Sequence, residues 1–211
     1  FHTIRDNDIQ AITYDNARLW VCTRDSLFTY NRVEDRLDYY YNLEGVRMSC
    51  VTEDSAGNLY VGTMNNGLYM IDHNKKWLNY FPKKDITCIY EDSKKSIWVG
   101  TKDDGLFRLD RNGGITNYGT APHQNMLSSS YVRCVVEDNL GNYWIGTFKG
   151  LDKLDVTTGT FTHYSKDNKP YSLSNSSIIC MMKDRQGTFW IGTYYGGVNL
   201  FNPDYEIYTY Y

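Results

Sequence analysis

Long apolar runs are missing from this 211-residue chain, and their absence removes several classes of protein at once. No stretch approaches the ~18 apolar residues of a membrane-spanning helix, so no membrane contact by this segment is expected. Phe1 to Gln10 has none of the features of a secretory leader; any targeting segment of an exported protein would lie outside these residues. Helical periodicity is missing too: the apolar runs are four to seven residues long and are closed by Gly, Asn, Asp, Ser or Pro. There is no basic excess, since 22 Lys and Arg face 25 Asp and Glu for a net charge of −3, and nucleic acid is therefore not an expected partner. Neither Cys-x-x-Cys nor His-x-x-x-His occurs, so no metal and no other cofactor is expected.

What the chain does have is repetition. A phrase built on Trp-Val-Gly-Thr begins at Trp20, Tyr60, Trp98, Trp144 and Trp190, at intervals of 40, 38, 46 and 46 residues. That period is near the length of a four-stranded propeller blade. Each copy has four apolar runs, a to d. In the fourth they read Val132–Val136, Tyr143–Thr147, Gly150–Asp155 and Phe161–Tyr164. The other d runs are Leu37–Tyr41, Trp77–Phe81, Ile115–Tyr118 and Tyr205–Tyr208, continuing to Tyr210, all rich in aromatic and β-branched residues. The expected fold is all-β: five four-stranded antiparallel blades at about 5–41, 42–81, 82–118, 119–164 and 165–211, forming a single propeller domain or segment. Phe1-His2-Thr3-Ile4 resembles a d run, so residues 1–4 are expected to be the outer strand of a preceding blade and the chain a segment of a larger propeller.

The recurrent polar residues have structural readings. Asp15, Asp54, Asp92, Asp138 and Asp184 open the a-to-b turns, with Gly57, Gly141 and Gly187 three residues later. Asp accepts a backbone N–H two residues on and Gly supplies positive φ, which describes a hairpin turn and not an acidic active site or a calcium loop. Cys50, Cys88, Cys134 and Cys180 each stand four residues before that Asp, whereas Cys22 occupies the Gly slot of the phrase. Equivalent positions of different blades are too far apart for disulfides, so the cysteines are expected to be reduced, buried small hydrophobes. Trp20, Trp98, Trp144 and Trp190 are expected to fill the space between blades.

Leu173 to Ile178, followed by Lys183 to Thr193 and Gly197-Val198, resembles the two-component regulator propeller repeat, and the likeness extends over essentially the whole chain. Its departures are Cys22 for Gly, Tyr60 for Trp and Ser96 for a turn Gly. The resemblance implies the periplasmic sensor region of a Bacteroides-type hybrid two-component protein. Such regions have seven-bladed propellers and sense glycan fragments, and the whole protein is expected to be a homodimer with its histidine kinase elsewhere. The segment itself is then not an enzyme, and its partners are an oligosaccharide or other small ligand and neighbouring blades and domains.

In a propeller the b-to-c and d-to-a loops open on one face, and here these loops are where repetition stops. The b-to-c loops contain Arg24-Asp25, Met64-Asn65-Asn66, Lys102-Asp103-Asp104, Phe148-Lys149 and Tyr194-Tyr195-Gly196. Aromatics that stack on sugar rings, beside amides and charges that bond hydroxyls, suit carbohydrate recognition. Ordinary solvated loops are the alternative. The candidate ligand-binding residues are Arg24, Asn65, Asn66, Lys102, Asp103, Lys149, Tyr194 and Tyr195; no catalytic and no metal residue is assigned. The d-to-a loops after Tyr118 and Tyr164 are long, about thirteen residues, and include Pro122-His123-Gln124-Asn125 and Lys169-Pro170-Tyr171. A propeller lyase or hydrolase is a competing reading, but His2, His73, His123 and His163 occupy different repeat positions and are not expected to converge. Arg47 and Arg133 are read as equivalent residues opening strand a. A protein-interaction scaffold is the third reading, distinguished by a flat contact surface where a sensor would have a concave pocket.

Overall fold

The computed structural model describes residues 8–15, 17–119, 125–168 and 172–203 and the backbone of 207–210. Phe1–Ile4, Pro122, His123, Gln124, Lys169, Pro170, Tyr171 and Tyr205 lie outside the described residues. The chain is all-β. The first sheet holds β1 (Ile9–Asp15), β2 (Arg18–Thr23), β3 (Ser26–Asn31) and β4 (Arg36–Asn42). The second holds β5 (Met48–Glu53), β6 (Leu59–Thr63), β7 (Leu68–Ile71) and β8 (Trp77–Tyr80). The third holds β9 (Ile86–Glu91), β10 (Ile97–Thr101), β11 (Leu106–Leu109) and β12 (Ile115–Tyr118), and the fourth β13 (Val132–Glu137), β14 (Tyr143–Thr147), β15 (Leu151–Leu154) and β16 (Phe161–Tyr164). The fifth holds β17 (Ile178–Lys183), β18 (Phe189–Thr193), β19 (Gly197–Asn202) and β20 (Ile207–Tyr210). Each sheet pairs its strands in chain order, which is the meander of a propeller blade. The contacts divide the chain into residues 1–91 and 92–211.

Within residues 1–91, Trp20, Leu27, Met48, Leu59, Val61 and Ile71 form one core between the first and second sheets. Within residues 92–211, Trp144, Leu151, Leu173, Ile178, Phe189 and Phe201 form another. The Trp144 ring lies 4.8 Å from Phe201 and 5.9 Å from Phe189, contacts that add to the ~1.5–3 kcal/mol of burying each side chain.

The turn aspartates do more than cap a hairpin. Asp138 Oδ1 accepts the N–H groups of Leu140 and Asn142, as expected, while Oδ2 accepts the indole N–H of Trp144 at 3.0 Å. Asp92 and Asp184 hold Trp98 and Trp190 in the same way, six residues on. In the first sheet the interval from Asp15 to Trp20 is one residue shorter, and Trp20 donates instead to Glu53 Oε2 of the next sheet. The residue before the turn Asp is a second clamp: Glu137 accepts both the N–H and the hydroxyl of Ser93, and Glu91 does so for Ser55.

Glycine of the phrase answers to close packing. A Cβ on Gly146 would collide with Cys134 Sγ and lie 2.6 Å from Ile178 Cγ2 of the following sheet; Gly62 meets Cys50 and Ile86 likewise. In the first sheet Cys22 pairs with Ala11, so the thiol has crossed to the other strand and the small residue has taken its place. The cysteines are all free, and burial pushes the Cys22, Cys50 and Cys134 thiols up to about 12, 11 and 12.

Two expectations fail at the fifth sheet. Trp190 is 42% exposed and Cys180 is exposed, whereas in the fourth sheet Trp144 and Gly146 are covered by Phe189 and Ile178. A third error is of register. Strand a pairs from Met48 with Thr63 and from Val132 with Thr147 and bulges at the same place in both sheets, so Arg133 is equivalent to Ser49, and Arg47, two positions earlier, to Tyr131.

Candidate functional site

The Thr that closes each phrase builds the loop that follows it. Its hydroxyl is buried and returns to the far side of the loop: Thr101 Oγ1 to Gly105 O at 2.8 Å, Thr147 to Gly150 O at 2.9 Å, Thr193 to Gly197 O at 3.2 Å. The next residue donates its N–H to the backbone just before strand a, as in Met64 to Arg47 O, Phe148 to Tyr131 O and Tyr194 to Ser177 O. The b-to-c and d-to-a loops are therefore tied along one edge of each sheet.

On residues 1–91, Arg24 is exposed and its carbonyl accepts the Met48 N–H. Asn65 is exposed at φ +62°, with its N–H on Asp85 Oδ1, and Asn66 is half-buried with its carbonyl on Asn79 Nδ2. On residues 92–211, Lys102, Asp103 and Lys149 are exposed. Tyr194 and Tyr195 are the candidates brought into contact, with ring centroids 4.3 Å apart at 61° and 52% and 91% of their surfaces exposed. Tyr195 sits at φ +56°, a backbone region that bulky residues avoid.

Sequence reasoning missed what surrounds Lys149. The rings of Tyr131 and Phe148 are stacked 6.3 Å apart, and the Arg133 guanidinium lies 4.5 Å from the first and 5.3 Å from the second. Its Nη1 donates to Ser177 Oγ and Ile178 O, which places it within one residue of the Tyr194 anchor. Ser49 Oγ makes the corresponding bond to Ile86 O. Counting back from the phrase locates this role, since Arg133 stands eleven residues before Trp144 as Ser49 does before Tyr60.

A Ser, His and Asp also meet. Asp152, fully buried, accepts from Ser128 N and Oγ and stands 2.7 Å from His163 Nδ1. Burial raises the Asp152 carboxyl above its ordinary value against the lowering effect of the His163 and Ser128 bonds. The hydroxyl faces the carboxylate and not the imidazole, which is the wrong order for an activated nucleophile. In the fifth sheet Asn199 replaces Asp152, accepting from Ser174 N with Oδ1 and donating from Nδ2 to Ser174 Oγ, so the network is a tether for the loop before strand a. Among the described residues no group of three His, Cys, Asp or Glu could hold a metal ion, and no helix is long and apolar enough to cross a membrane.

Residues 80–103, 126–149 and 172–195 match the two component regulator propeller family, each match ending in a b-to-c loop. No curated protein sequence matches the chain. Among solved structures, the chain is similar to the extracellular domain of BT3049 from B. thetaiotaomicron, assigned to the hybrid two component systems, with 27% identity and a TM-score of 0.78. That likeness covers 93% of this chain and 27% of the other. The extracellular domain of BT4673 from the same organism follows at 22% identity and TM-score 0.78, over 95% and 28% of the two chains. Virginiamycin B lyase from Staphylococcus aureus shares the fold, at 14% identity and TM-score 0.75, over 100% and 71%. The chain spans little more than a quarter of the two Bacteroides chains. It is an all-β chain of propeller fold, three stretches of which match the two component regulator propeller repeat.

Proposed function

We propose that this chain is part of the extracytoplasmic, periplasmic ligand-sensing region of a hybrid two-component signalling protein, and that it takes glycan-derived oligosaccharides on its b-to-c loops. The family match and the likeness to Bacteroides extracellular domains support the sensor part of this reading. Tyr195 carries the choice of site. A bulky aromatic at positive φ costs ~1–3 kcal/mol, and here that residue is 91% exposed, so packing does not repay it. An exposed ring held in strain beside a second ring is what stacking on a sugar face requires. The turn aspartates of the opposite edge, by contrast, spend their oxygens on their own hairpins and tryptophans. Occupancy of the loops would alter packing against neighbouring domains and so the signalling state; the segment performs no catalysis, and the whole protein acts as a homodimer.

A glycan array on the complete extracellular region identifies the ligand, and calorimetry then measures its affinity for variants. Loss of one stacked ring in Tyr194→Ala or Tyr195→Ala is expected to weaken binding by ~1–3 kcal/mol, roughly ten- to a hundredfold. Asn139→Ala, in the turn before β14, should bind as the parent does. Loss of binding by Asn139→Ala with retention by both tyrosine variants would move the site elsewhere. Strain has its own readout: Tyr195→Gly should be more stable than Tyr195→Ala by about 1 kcal/mol, since Gly adopts positive φ freely.

A further inference from the structure

The turn edge of the chain, which sequence reasoning left to scaffold, contains a cavity of about 160 Å³ between the third and fourth sheets. Its walls are Trp98, Tyr118 and Tyr143, with Leu154 and Val156 beside them and Lys94, Arg108 and Asp155 at the polar side. An engineered apolar cavity of ~150 Å³ holds benzene, so this one has room for a single six-membered ring.

The same place between the fourth and fifth sheets is filled. There Trp144, Lys153 and Tyr164 stand where Trp98, Arg108 and Tyr118 do, and Phe189 and Phe201 replace Tyr143 and Leu154. The Phe201 ring occupies the space over Trp144, 4.8 Å away, and Leu154 leaves the equivalent space over Trp98 open. The cavity is thus a consequence of one side chain and not of the repeat.

Its polar side holds donors without acceptors. Arg108 Nη2 donates to Ser96 Oγ, but the buried Nε–H has no acceptor among the described residues. Lys94, on the exposed a-to-b turn, adds an ammonium group. The neighbouring carboxylates have donors of their own: Asp92 takes Trp98 Nε1, Tyr143 Oη and Ser96 N, and Asp155 Oδ1 takes the N–H groups of Thr157 and Thr158. A buried guanidinium N–H is well matched by a carboxylate oxygen.

We propose that this cavity is a second binding site, for a carboxylate carried on a six-membered ring. The ring lies against Trp98, Tyr118 and Tyr143 over Leu154, and the carboxylate accepts from Arg108 Nε and Lys94 Nζ. Aromatic acids and sugar acids share this chemistry. The site is on the opposite edge from Tyr194 and Tyr195 and stands independently of the sensing role proposed for them.

Calorimetric titration of the full chain with benzoate and benzamide, and with glucuronate and glucose, tests it. At least one acid should bind more tightly than its neutral counterpart by about tenfold or more, and which acid does so names the source. Arg108→Gln and Lys94→Gln should each weaken that acid, the first by about tenfold. Leu154→Phe, which reproduces the arrangement of Phe201, should abolish binding while the melting temperature stays the same or rises. Tyr195→Ala should leave it unchanged. Equal binding of acid and neutral analogue, no binding of either acid at millimolar concentration, or full binding by Leu154→Phe would each overturn the proposal.

Discussion

Gly146 and Cys134 share a space with room for one side chain beyond Cβ, and the molecule solves that problem in two ways. Four sheets place Cys on strand a, and glycine opposite it on strand b is seen directly in the pairs Cys50–Gly62, Cys134–Gly146 and Cys180–Gly192; the first sheet pairs Ala11 with Cys22. Gly146→Ala should therefore overpack the site against Cys134 Sγ and Ile178 and cost ~1–3 kcal/mol. Adding Cys134→Ala should recover part of that loss, with a coupling of about 1 kcal/mol in a double-mutant cycle of urea denaturation. Additive effects would show that the two residues do not contend for one space. The phase of the cysteines was legible because it is a constant offset from the turn Asp. That Ala11 and Cys22 have exchanged roles was not, since it depends on which residues face each other across the strand pair.

Among elements, the loop before strand a is the part most dependent on buried polar bonds. Ser128 and Asp152 tether it in the fourth sheet, Ser174 and Asn199 in the fifth. Burial raises the Asp152 carboxyl, so the folded chain holds that proton more tightly than the unfolded chain does. This group's contribution to stability is then greatest in acid and falls as pH rises from ~4 through the folded value. Asp152→Asn keeps an acceptor for Ser128 and removes the buried charge. Its stability relative to the parent should increase between pH ~4 and ~7, measured by chemical denaturation at each pH. A parent that gains on the variant over that range would show that His163 more than offsets the burial of the charge. Strand limits, turns, the Asp-to-Trp interval of six and the offset of two positions between Arg47 and Arg133 were readable from local residues, whereas the bulge in strand a was not.

For the molecule as a whole, the protection of a residue follows from whether a further sheet covers it. Cys22 is buried and Cys50 and Cys134 are half-buried, with their thiols pushed up to about 12, 11 and 12, whereas Cys180 is exposed on β17. Maleimide labelling of the native chain near neutral pH, followed by mass spectrometry, should modify Cys180 first and leave those three unreacted until unfolding. Labelling of Cys134 as fast as Cys180 would mean that the fourth sheet is not covered by the fifth. The sequence by itself determined the five sheets, their strand order and the scaffold role of the turn aspartates, because each rests on a period, a run length or a bond spanning about six residues. Tertiary structure alone decided that Arg133 lies against both Tyr131 and Phe148 and bonds Ser177, that Asp152 meets His163, and that Leu154 leaves open the space Phe201 fills. Those arrangements depend on stacking one sheet on the next and on the register within each, so residues forty or more positions apart meet at distances that no local pattern records.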